Sequence, residues 1–571
     1  MHPKDKRYKA LIGKHAILPI VNRRLPVIAD DMVDREFGTG AVKVTPAHDP
    51  LDFEIGRRHR LPTLDILQPD GRIIAQMPRY LAGQDRFEAR KRVVAEFEAL
   101  GLLEKVEEHR HSVGHCYRCE TVVEPRLSDQ WFVKMAPLAK PALKAYRSGR
   151  LRFIPERRGE EYAQWMTNIR DWCISRQLWW GHRIPVWYCD SCGTSRSSRT
   201  DLTSCPDCKG ELHQDEDVLD TWFSSWLVPF SSLGWPEGTP DLARFYPGPT
   251  LVTAPEILFF WVARMVMSGI HCMGKIPFST VYLHGTVRDT QHRKMSKSLG
   301  NGIDPLDVVR RYGADALRYT IISGMSVGTD LILDPDDLET SFAPGRNFAN
   351  KLWNAGRFIL GNLQGPTRPL GGRYRDVVRP EELSLADRWI IARCEATVLE
   401  ATAAYEKFRL NEAAAAVYHF VWSDLADWYL EQIKPRLYGD QPGVDVARAV
   451  AARTFEVALQ LLHPVMPFIT EALWQRLPGR PADASITTTQ WPRSDRRAPD
   501  PEAVRAFGLI QESIIAIRAI RAEYAIQPGQ AIKAVVLPKG KYSQEPLRRE
   551  WETVRRLAKV SSLSHLSDAG A

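Results

Sequence analysis

The sequence predicts an α/β protein that is followed by an α-helical bundle. Short apolar runs with β-branched residues, such as Thr250 to Val252 and Thr280 to Leu283, lie between glycines and prolines and indicate strands. Further along, apolar residues recur at helical spacing, and Ser384 with Asp387 matches a capping box at a helix start. A chain of 571 residues is too long for one hydrophobic core, so we expect several domains.

The start of the chain predicts a small α/β domain. The apolar run Ile17 to Val21 indicates a strand, and Val93, Phe97 and Leu100 form a helical stripe after Asp85. In the region that follows, segments rich in aromatic residues and cysteines alternate with strand-like apolar runs. This pattern favours a second α/β domain.

The composition is that of an ordinary folded protein, with 44% hydrophobic and 26% charged residues. A net charge of +8 favours a polyanionic partner if the cations are clustered. The segment Met1 to Ala10 is polar, and no uninterrupted apolar run reaches the about 18 residues of a membrane helix. We therefore expect a cytoplasmic protein without a membrane partner.

The most specific pattern is the loop Lys294-Met295-Ser296-Lys297-Ser298, which continues into Leu-Gly-Asn and then Asp-Pro. Two lysines three positions apart on a short loop can both face a polyphosphate and neutralise the charge that develops on a leaving pyrophosphate. A solvated basic loop is the alternative, but the length of the motif favours catalysis.

This pentapeptide resembles the second signature of the class I aminoacyl-tRNA synthetases. Two further segments are similar to the valine enzymes within the valine, isoleucine and leucine subfamily. They are Asp171 to Pro185, which contains Leu-Trp-Trp-Gly-His, and Asp217 to Ser225. The resemblance implies a valine–tRNA ligase that activates valine with ATP and Mg²⁺ and transfers it to tRNA(Val). An isoleucine enzyme is an alternative that these two segments argue against.

The resemblance also implies the architecture. It is an α/β fold made of the second half of a class I Rossmann-like catalytic domain, part of a β-rich editing domain, a zinc knuckle and an α-helical anticodon-binding bundle. The implied boundaries are 1–110 for the editing part, 111–335 for the catalytic part with the knuckle at 186–214, 336–383 for a stem-contact junction, 384–500 for the helical domain and 501–571 for the start of a C-terminal region.

Roles in the synthetic site carry over by resemblance. Lys294 and Lys297, with Ser296 and Ser298, would be the catalytic loop. The valine side chain would meet Trp222, Ile257 and Trp261. ATP would meet Lys297, His284, Gly285 and Glu256. The family's usual Gly-x-Asp triplet is replaced here by Ala-Pro-Glu, ending at Glu256.

Nine cysteines include three Cys-x-x-Cys pairs, which favour metal binding over disulfides in a chain without a secretion signal. The two pairs Cys189, Cys192 and Cys205, Cys208 have the spacing of a tetrahedral zinc site. The pair Cys116 and Cys119 lacks a second pair, and His111 and His115 are poor substitutes. The remaining Cys173, Cys272 and Cys394 have apolar neighbours in sequence and are expected in the core.

The segment Gly38 to Asp52 resembles the editing domain, which hydrolyses tRNA charged with threonine. By resemblance Asp52 would bind the ammonium group of the substrate, and Lys43 would line the site. A turn followed by an N-cap carboxylate, at Asp49 or Asp52, is the alternative.

Two segments of the second half, Asp424 to Glu431 and His463 to Phe468, resemble the anticodon-binding bundle, and Pro464 with Pro467 predicts two helices that meet at a bend. Four residues on a helix after the signature loop are expected to contact tRNA, mostly at phosphates: Arg346, Asn350, Lys351 and Arg357.

The first class I signature, a His-x-Gly-His element, does not occur in the sequence, because residues 111–115 read His-Ser-Val-Gly-His and come too late in the family order. The expectation is that this chain does not aminoacylate alone unless a separate chain supplies the amino-terminal half. A noncatalytic tRNA-binding protein that retains the bundle and the knuckle is the alternative from another functional class.

Overall fold

The computed structural model describes residues 1–108, 110–116, 119–297, 299–363, 378–438, 442–481, 483–494, 500–527, 529–536 and 544–565. The chain forms two compact units. One contains Met1–Phe132 and Cys173–Ser175, and the other contains Val133–Trp172 and Arg176–Ala571.

The strands, in chain order, are β1 His15–Leu18, β2 Arg23–Pro26, β3 Phe132–Val133, β4 Arg152–Ile154, β5 Trp172–Cys173, β6 Ser175–Arg176, β7 Val186–Cys189, β8 Ser195–Ser197, β9 Leu212–Gln214, β10 Val218–Leu219, β11 Gly248–Thr253, β12 Phe278–Leu283, β13 Val287–Arg288, β14 Leu331–Ile332, β15 Ile532–Val536 and β16 Val560–His565.

The helices are α1 Pro50–His59, α2 Arg86–Ala99, α3 Ala136–Arg147, α4 Arg157–Thr167, α5 Thr221–Ser225, α6 Val228–Ser231, α7 Pro240–Phe245, α8 Ala263–Met273, α9 Pro305–Tyr312, α10 Ala314–Gly324, α11 Leu338–Asn362, α12 Leu385–Glu406, α13 Leu410–His419, α14 Leu430–Tyr438, α15 Val444–Leu462, α16 Pro467–Trp474, α17 Pro501–Glu523, α18 Gln544–Arg549 and α19 Trp551–Ala558. Helical turns Pro255–Ile257 and Leu258–Val262 lead into α8, and Phe420–Tyr429 joins α13 to α14.

The first unit has a small core. The strand predicted at Ile17 to Val21 is only partly confirmed, because β1 ends at Leu18 and a turn leads from it into its antiparallel partner β2. The helix predicted after Asp85 is confirmed as α2, whose first turn Asp85 caps through the Phe87 amide. The buried cluster of this unit includes Leu67, Ile73 and Leu81.

The centre of the second unit is a parallel sheet in the order β11-β12-β4, which confirms both predicted strands. The middle strand β12 is almost entirely buried, as a parallel strand flanked on both sides should be. Among the described residues no strand pairs with the outer edge of β11, where Val252 is 59% exposed.

Helix α8 and the turns before it form a core element of this unit. The stretch Pro255–Met273 is long and apolar enough to cross a membrane by length and composition, but half of it is buried within the fold. Arg264 lies near its middle and is itself buried. This stretch therefore serves as a core helix of the second unit, and its composition is only weak evidence for a membrane span.

The helical region is built around α12 and α15, whose apolar faces bury Trp389 and Phe455. The predicted capping box is confirmed, because Ser384 and Asp387 exchange side-chain-to-backbone hydrogen bonds. The predicted bend is also confirmed, since α15 ends before Pro464 and α16 begins at Pro467.

The expectation that the three unpaired cysteines are core residues is wrong for Cys272. Cys394 is buried in the helical core and Cys173 is half-buried, but Cys272 is exposed. Its position in the last turn of α8 explains the difference, because the helix end emerges from the core there.

Candidate active site and metal centre

The signature loop is anchored at the end of β13. Lys294 forms an antiparallel bridge with Arg288, and the Met295 amide donates to the carbonyl of Val287. The Met295 side chain packs against a buried cluster that includes Phe342. These contacts hold the base of the loop and leave its tip exposed.

The two signature lysines are in different states. Lys294 forms an ion pair with Glu256, and both side chains are about half exposed. The Lys294 ammonium holds the pKa of Glu256 below its ordinary value, and His284 acts in the same direction. The Lys297 side chain is exposed, and no described residue forms a hydrogen bond or ion pair with its ammonium, although its backbone carbonyl accepts from the Gly300 amide at 3.3 Å. Ser298 lies outside the described residues.

Ser296 and the end of the loop are held by a buried polar pair. The Ser296 amide donates to Asn301 Oδ1 at 3.0 Å, and Asn301 Nδ2 donates to Asp289 Oδ2 at 2.9 Å. Asn301 and the hydrogen bonds from Arg293 hold the pKa of Asp289 well below its usual range, so it stays a carboxylate. The motif included Asn301 without giving it a role, and it did not identify Asp289.

The ATP-binding candidates lie at the carboxyl edge of the parallel sheet. His284 directly follows β12, and its amide donates to the carbonyl of Thr253 at the end of β11. A Cβ atom added to Gly285 would lie 1.7 Å from the Thr329 carbonyl oxygen, so only glycine fits there. Glu256 follows β11 by three residues, so the sheet brings Glu256, His284 and the loop lysine Lys294 together.

The candidate valine pocket is organised by the short helix α5. Asp220 caps this helix by accepting from the Trp222 amide, and the Trp222 ring stacks on Phe260 with centroids 6.0 Å apart. Trp261 Nε1 donates to the Ser225 carbonyl at the other end of α5. Ile257 is half-buried one turn before Trp261. The two tryptophans are thus fixed to one helix.

A buried arginine next to this pocket was missed by sequence reasoning. The Arg264 guanidinium carbon lies 3.6 Å from the centroid of the Trp172 ring, and no described residue forms a hydrogen bond with its Nε or Nη1. Burial lowers the pKa of Arg264 to about 10. Trp172 Nε1 in turn donates to Asp220, the cap of α5. The only sequence signal was one cation inside an apolar run.

The four predicted zinc ligands come together. The Sγ atoms of Cys189, Cys192, Cys205 and Cys208 all lie within 4.8 Å of one another. Four thiolates at this separation fit a tetrahedral structural zinc site. The largest cause that lowers the pKa of Cys205, to about 6, is a hydrogen bond from the Cys208 amide. A lowered pKa favours the thiolate that a metal requires.

Both halves of this cluster have the same turn. In the first half, the Cys189 amide donates to the Thr194 carbonyl and the Gly193 amide donates to the Cys189 carbonyl. In the second half, the Cys205 amide donates to the Gly210 carbonyl and the Lys209 amide donates to the Cys205 carbonyl. The turn that begins at Cys116 has the same two bonds, at 2.9 and 2.8 Å. Among the described residues nothing completes a four-ligand set around Cys116 and Cys119.

The residues carried over to the editing site lie at the start of α1. Asp49 is the N-cap of this helix, because its side chain accepts from the amides of Leu51 and Asp52. The alternative prediction of an N-cap carboxylate is thus confirmed for Asp49. Asp52 points elsewhere, with Oδ2 accepting from the Thr45 amide at 2.6 Å. Lys43 is exposed, and no described residue pairs with it.

The four candidate tRNA contacts lie on one helix, α11. Arg346 pairs with Glu339, and Lys351 pairs with Asp427 at 2.5 Å. Asn350 and Arg357 are exposed without a partner among the described residues, and they lie two turns apart on one face.

Three family profiles match the chain. The profile described as tRNA synthetases class I (I, L, M and V) matches residues 52–334. The profile described as anticodon-binding domain of tRNA ligase matches residues 387–536, and the profile described as leucyl-tRNA synthetase, editing domain matches residues 4–87. The chain belongs to the class I aminoacyl-tRNA synthetases.

Curated relatives of this synthetase chain carry the description valine–tRNA ligase. It is 53% identical to the one from Carboxydothermus hydrogenoformans over 538 residues, which is 94% of this chain and 60% of the relative. It is 50% identical to the one from Geobacter sulfurreducens over 568 residues, which is 99% of this chain and 63% of the relative. The synthetase chain therefore spans about three fifths of the length of these relatives.

A solved ternary complex of Agrobacterium radiobacter K84 LeuRS with tRNA and LeuAMS superimposes with a TM-score of 0.49 at 18% identity, over 86% of this chain and 53% of that chain. The catalytic profile spans the signature loop, the pocket and the knuckle of this synthetase chain. The anticodon profile begins at Asp387, inside the capping box of α12.

Proposed function

We propose that the chain is the valine-activating and tRNA-binding part of a valine–tRNA ligase. One observation carries this proposal: candidate ATP-binding residues from two adjacent strands and from the signature loop lie together at one edge of the sheet. Glu256 and His284 follow adjacent parallel strands, and Lys294 reaches Glu256 from the signature loop. Ligands of open α/β sheets bind at the carboxyl ends of the strands, which supports an ATP site here.

In the proposed reaction the valine carboxylate attacks the α-phosphorus of ATP, and pyrophosphate leaves. Lys297 has no competing partner among the described residues, so its ammonium is available to the leaving phosphates. Lys294 can exchange its ion pair with Glu256 for one with a phosphate. The Glu256 carboxylate is then free to accept a hydrogen bond from a ribose hydroxyl. Mg²⁺ would neutralise further phosphate charge when bound.

The valyl group then passes to the terminal ribose of tRNA(Val). A rigid apolar pocket distinguishes one methylene by only about 1–3 kcal/mol and cannot strongly reject threonine, so hydrolytic editing has a physical purpose. Trp222 and Trp261 are tied to α5 at both of its ends, which supports a rigid pocket. We assign editing to the region of Asp52 and Lys43, with Asp52 Oδ1 available for the substrate ammonium.

The remaining ligands and partners belong to the same proposal. Zn²⁺ would be held by the four clustered cysteines as a structural ion. The exposed face of α11 with Asn350 and Arg357 would contact tRNA phosphates. The open edge of β11 is where a separate chain with the amino-terminal half would add, since a parallel sheet is normally paired and covered. The cell compartment would be the cytoplasm, where tRNA is charged.

The test is valine-dependent exchange of pyrophosphate into ATP. The chain is assayed alone and together with the amino-terminal part of a related enzyme. Exchange in the mixture only would support a split synthetase. If neither sample exchanges while tRNA is still bound, the chain is a noncatalytic tRNA-binding protein, and the catalytic proposal is wrong.

A further inference from the structure

Two polar side chains at the base of the signature loop are buried although the loop itself is exposed. Asp289 is 2% exposed and Asn301 is 8% exposed. Asn301 lies between Asp289 and the loop backbone: its Nδ2 donates to Asp289 Oδ2 at 2.9 Å, and its Oδ1 accepts from the Ser296 amide at 3.0 Å. One side chain thus connects the two ends of the loop.

Asp289 has further donors on the other side of the loop. Its Oδ1 accepts from the amides of Gln291 and Arg293, and its Oδ2 accepts from Arg293 Nε at 2.9 Å. Burying a carboxylate is costly unless donors compensate it, and here both oxygens have several. A fully satisfied buried polar group of this kind fixes one conformation of the chain around it.

The consequence concerns the residues between these two side chains. Arg293 is bound directly to Asp289, and Ser296 is bound to it through Asn301. Lys294 therefore lies between two fixed backbone positions, and Lys297 directly follows the second. The loop does not need packing of its own tip to hold both lysines in place.

We propose that Asp289 and Asn301 are positioning residues that hold the base of the loop carrying Lys294 and Lys297 in one backbone conformation. This inference rests on the proposed function for its catalytic meaning. Neither residue touches substrate in the proposal. Their contribution is preorganisation, which saves the ordering of the loop during the reaction.

The first test measures the loop itself and needs no catalysis. Trypsin cleaves after Lys294 and Lys297 when the loop opens, so the cleavage rate there reports its order. We expect Asn301→Ser, which removes the link and leaves the other bonds of Asp289 in place, to speed cleavage by about ten-fold or more. Asp307→Asn, at an exposed residue of the nearby helix α9, is the matched control and should cleave at the wild-type rate.

A side-chain exchange separates this specific pairing from general damage. Asn301→Asp places two carboxylates together and should loosen the loop, and Asp289→Asn removes the acceptor charge. The double variant Asp289→Asn with Asn301→Asp restores one amide and one carboxylate and should return cleavage toward the wild-type rate. Folded Asn301→Ser protein with wild-type cleavage would overturn the proposal, as would a folded exchange variant that remains as labile as the single variants.

The second test measures the catalytic consequence. In the pyrophosphate exchange mixture, Asn301→Ser should lower kcat by about ten- to a hundred-fold and leave the KM for valine unchanged, because the loop meets the phosphates and not the amino acid. A rise in the valine KM with unchanged kcat would overturn the positioning role. If the wild-type mixture shows no exchange, the proposed function fails while the cleavage data still decide whether the pair holds the loop.

Discussion

At the scale of single residues, the two signature lysines illustrate what a motif predicts. The motif predicted that both cations face one ligand, because two lysines three positions apart on a short loop can reach the same polyphosphate. The structure adds a difference between them, because Lys294 is paired with Glu256 and Lys297 has no partner among the described residues. The two lysines should therefore respond differently to substitution.

The first prediction concerns Lys297. Lys297→Ala should lower the rate of pyrophosphate exchange by about a hundred-fold or more, because an unpaired cation aimed at developing charge contributes more than a shielded one. The measurement is the exchange rate in the reconstituted mixture at saturating valine. Lys144→Ala on the exposed face of α3 is the control, and an equal loss in that variant would contradict the assigned role.

The second prediction concerns the pocket wall. Trp261→Phe keeps an aromatic ring but removes the Nε1 donor to the Ser225 carbonyl, a bond worth about 1 kcal/mol. We expect the KM for valine to rise by about five-fold and the free energy of unfolding to fall by about 1 kcal/mol. Trp353→Phe, on the exposed face of α11, should leave this KM unchanged. An unchanged KM in Trp261→Phe would mean that this hydrogen bond does not set the pocket.

Single residues also show where sequence reasoning stops. The cysteines and lysines were found because their chemistry requires a fixed spacing along the chain. Asp289 and Arg264 were not found, because their importance comes from burial, and burial depends on contacts with residues far away in sequence. Arg264 meets Trp172, which lies 92 residues earlier in the sequence.

At the scale of elements, the segment that carries the four clustered cysteines is a small sheet in the order β8-β7-β9. Strands β7, β8 and β9 are each only three or four residues long, and such a sheet has little core of its own. Metal binding should therefore supply much of its folding free energy.

The third prediction follows from that dependence. Cys192→Ser should reduce the zinc content from one ion per chain to almost none and make the segment around β8 sensitive to protease. Zinc is measured by elemental analysis after dialysis against a weak chelator. Cys272→Ser, at an exposed cysteine outside the cluster, should retain the metal. Loss of zinc in both variants would contradict the assignment of the ligands.

The fourth prediction concerns the bend between α15 and α16. His463 at this bend has hydrogen bonds to Thr470 and Thr487, and burial lowers its pKa below the ordinary value, with Arg318 acting in the same direction against Glu471 and Asp315. The folded protein then binds fewer protons than the unfolded chain. The stability contributed by neutral His463 is present above about pH 6.5 and is lost as pH falls from there toward the folded pKa.

We therefore expect the melting temperature to fall between about pH 7.5 and pH 5.5 in the wild type and to fall less in His463→Asn. His271→Asn, at an exposed histidine near the end of α8, is the matched control and should retain the wild-type dependence. Equal pH dependence in wild type and His463→Asn would show that this residue does not titrate within the range.

Elements with a local signal were predicted well. The caps at Asp85 and Ser384 and the bend at Pro467 follow from side chains within a few residues of the helix end. Very short strands such as β13 and β14 were not predicted, because their pairing depends on two segments 44 residues apart, as at Val287 and Leu331. No local pattern encodes such a pair.

At the scale of the whole molecule, the chain should unfold in more than one step, because its two compact units have separate cores. The tryptophans make the fifth prediction easy to test. All of the 17 tryptophans except Trp131 lie in the second unit, so their fluorescence reports that unit almost alone.

We expect calorimetry to resolve at least two transitions, only one of which coincides with the fluorescence change. Chelation of zinc should shift the fluorescence transition and leave the other in place, since the knuckle belongs to the second unit. One calorimetric peak that coincides with the fluorescence change would contradict two independently unfolding units.

The overall architecture was predicted by resemblance more than by pattern. Periodicity predicted strands first and helices later, but it could not order the strands β11, β12 and β4, since β4 precedes its neighbour in the sheet by 128 residues, as Arg152 and Thr280 show. The motif at Lys294 and the segments Asp171 to Pro185 and Asp217 to Ser225 supplied the family, and the predicted order of the domains followed from the family.

Within the described part of the chain no strand lies beside the outer edge of β11, and this leaves the edge open to association in the cell. A row of free backbone amides and carbonyls beside exposed Val252 will accept any extended peptide that reaches it, including the same strand of another copy. Such strand addition grows with concentration. The soluble yield of this chain should accordingly fall as its rate of synthesis rises and recover when a peptide covers this edge.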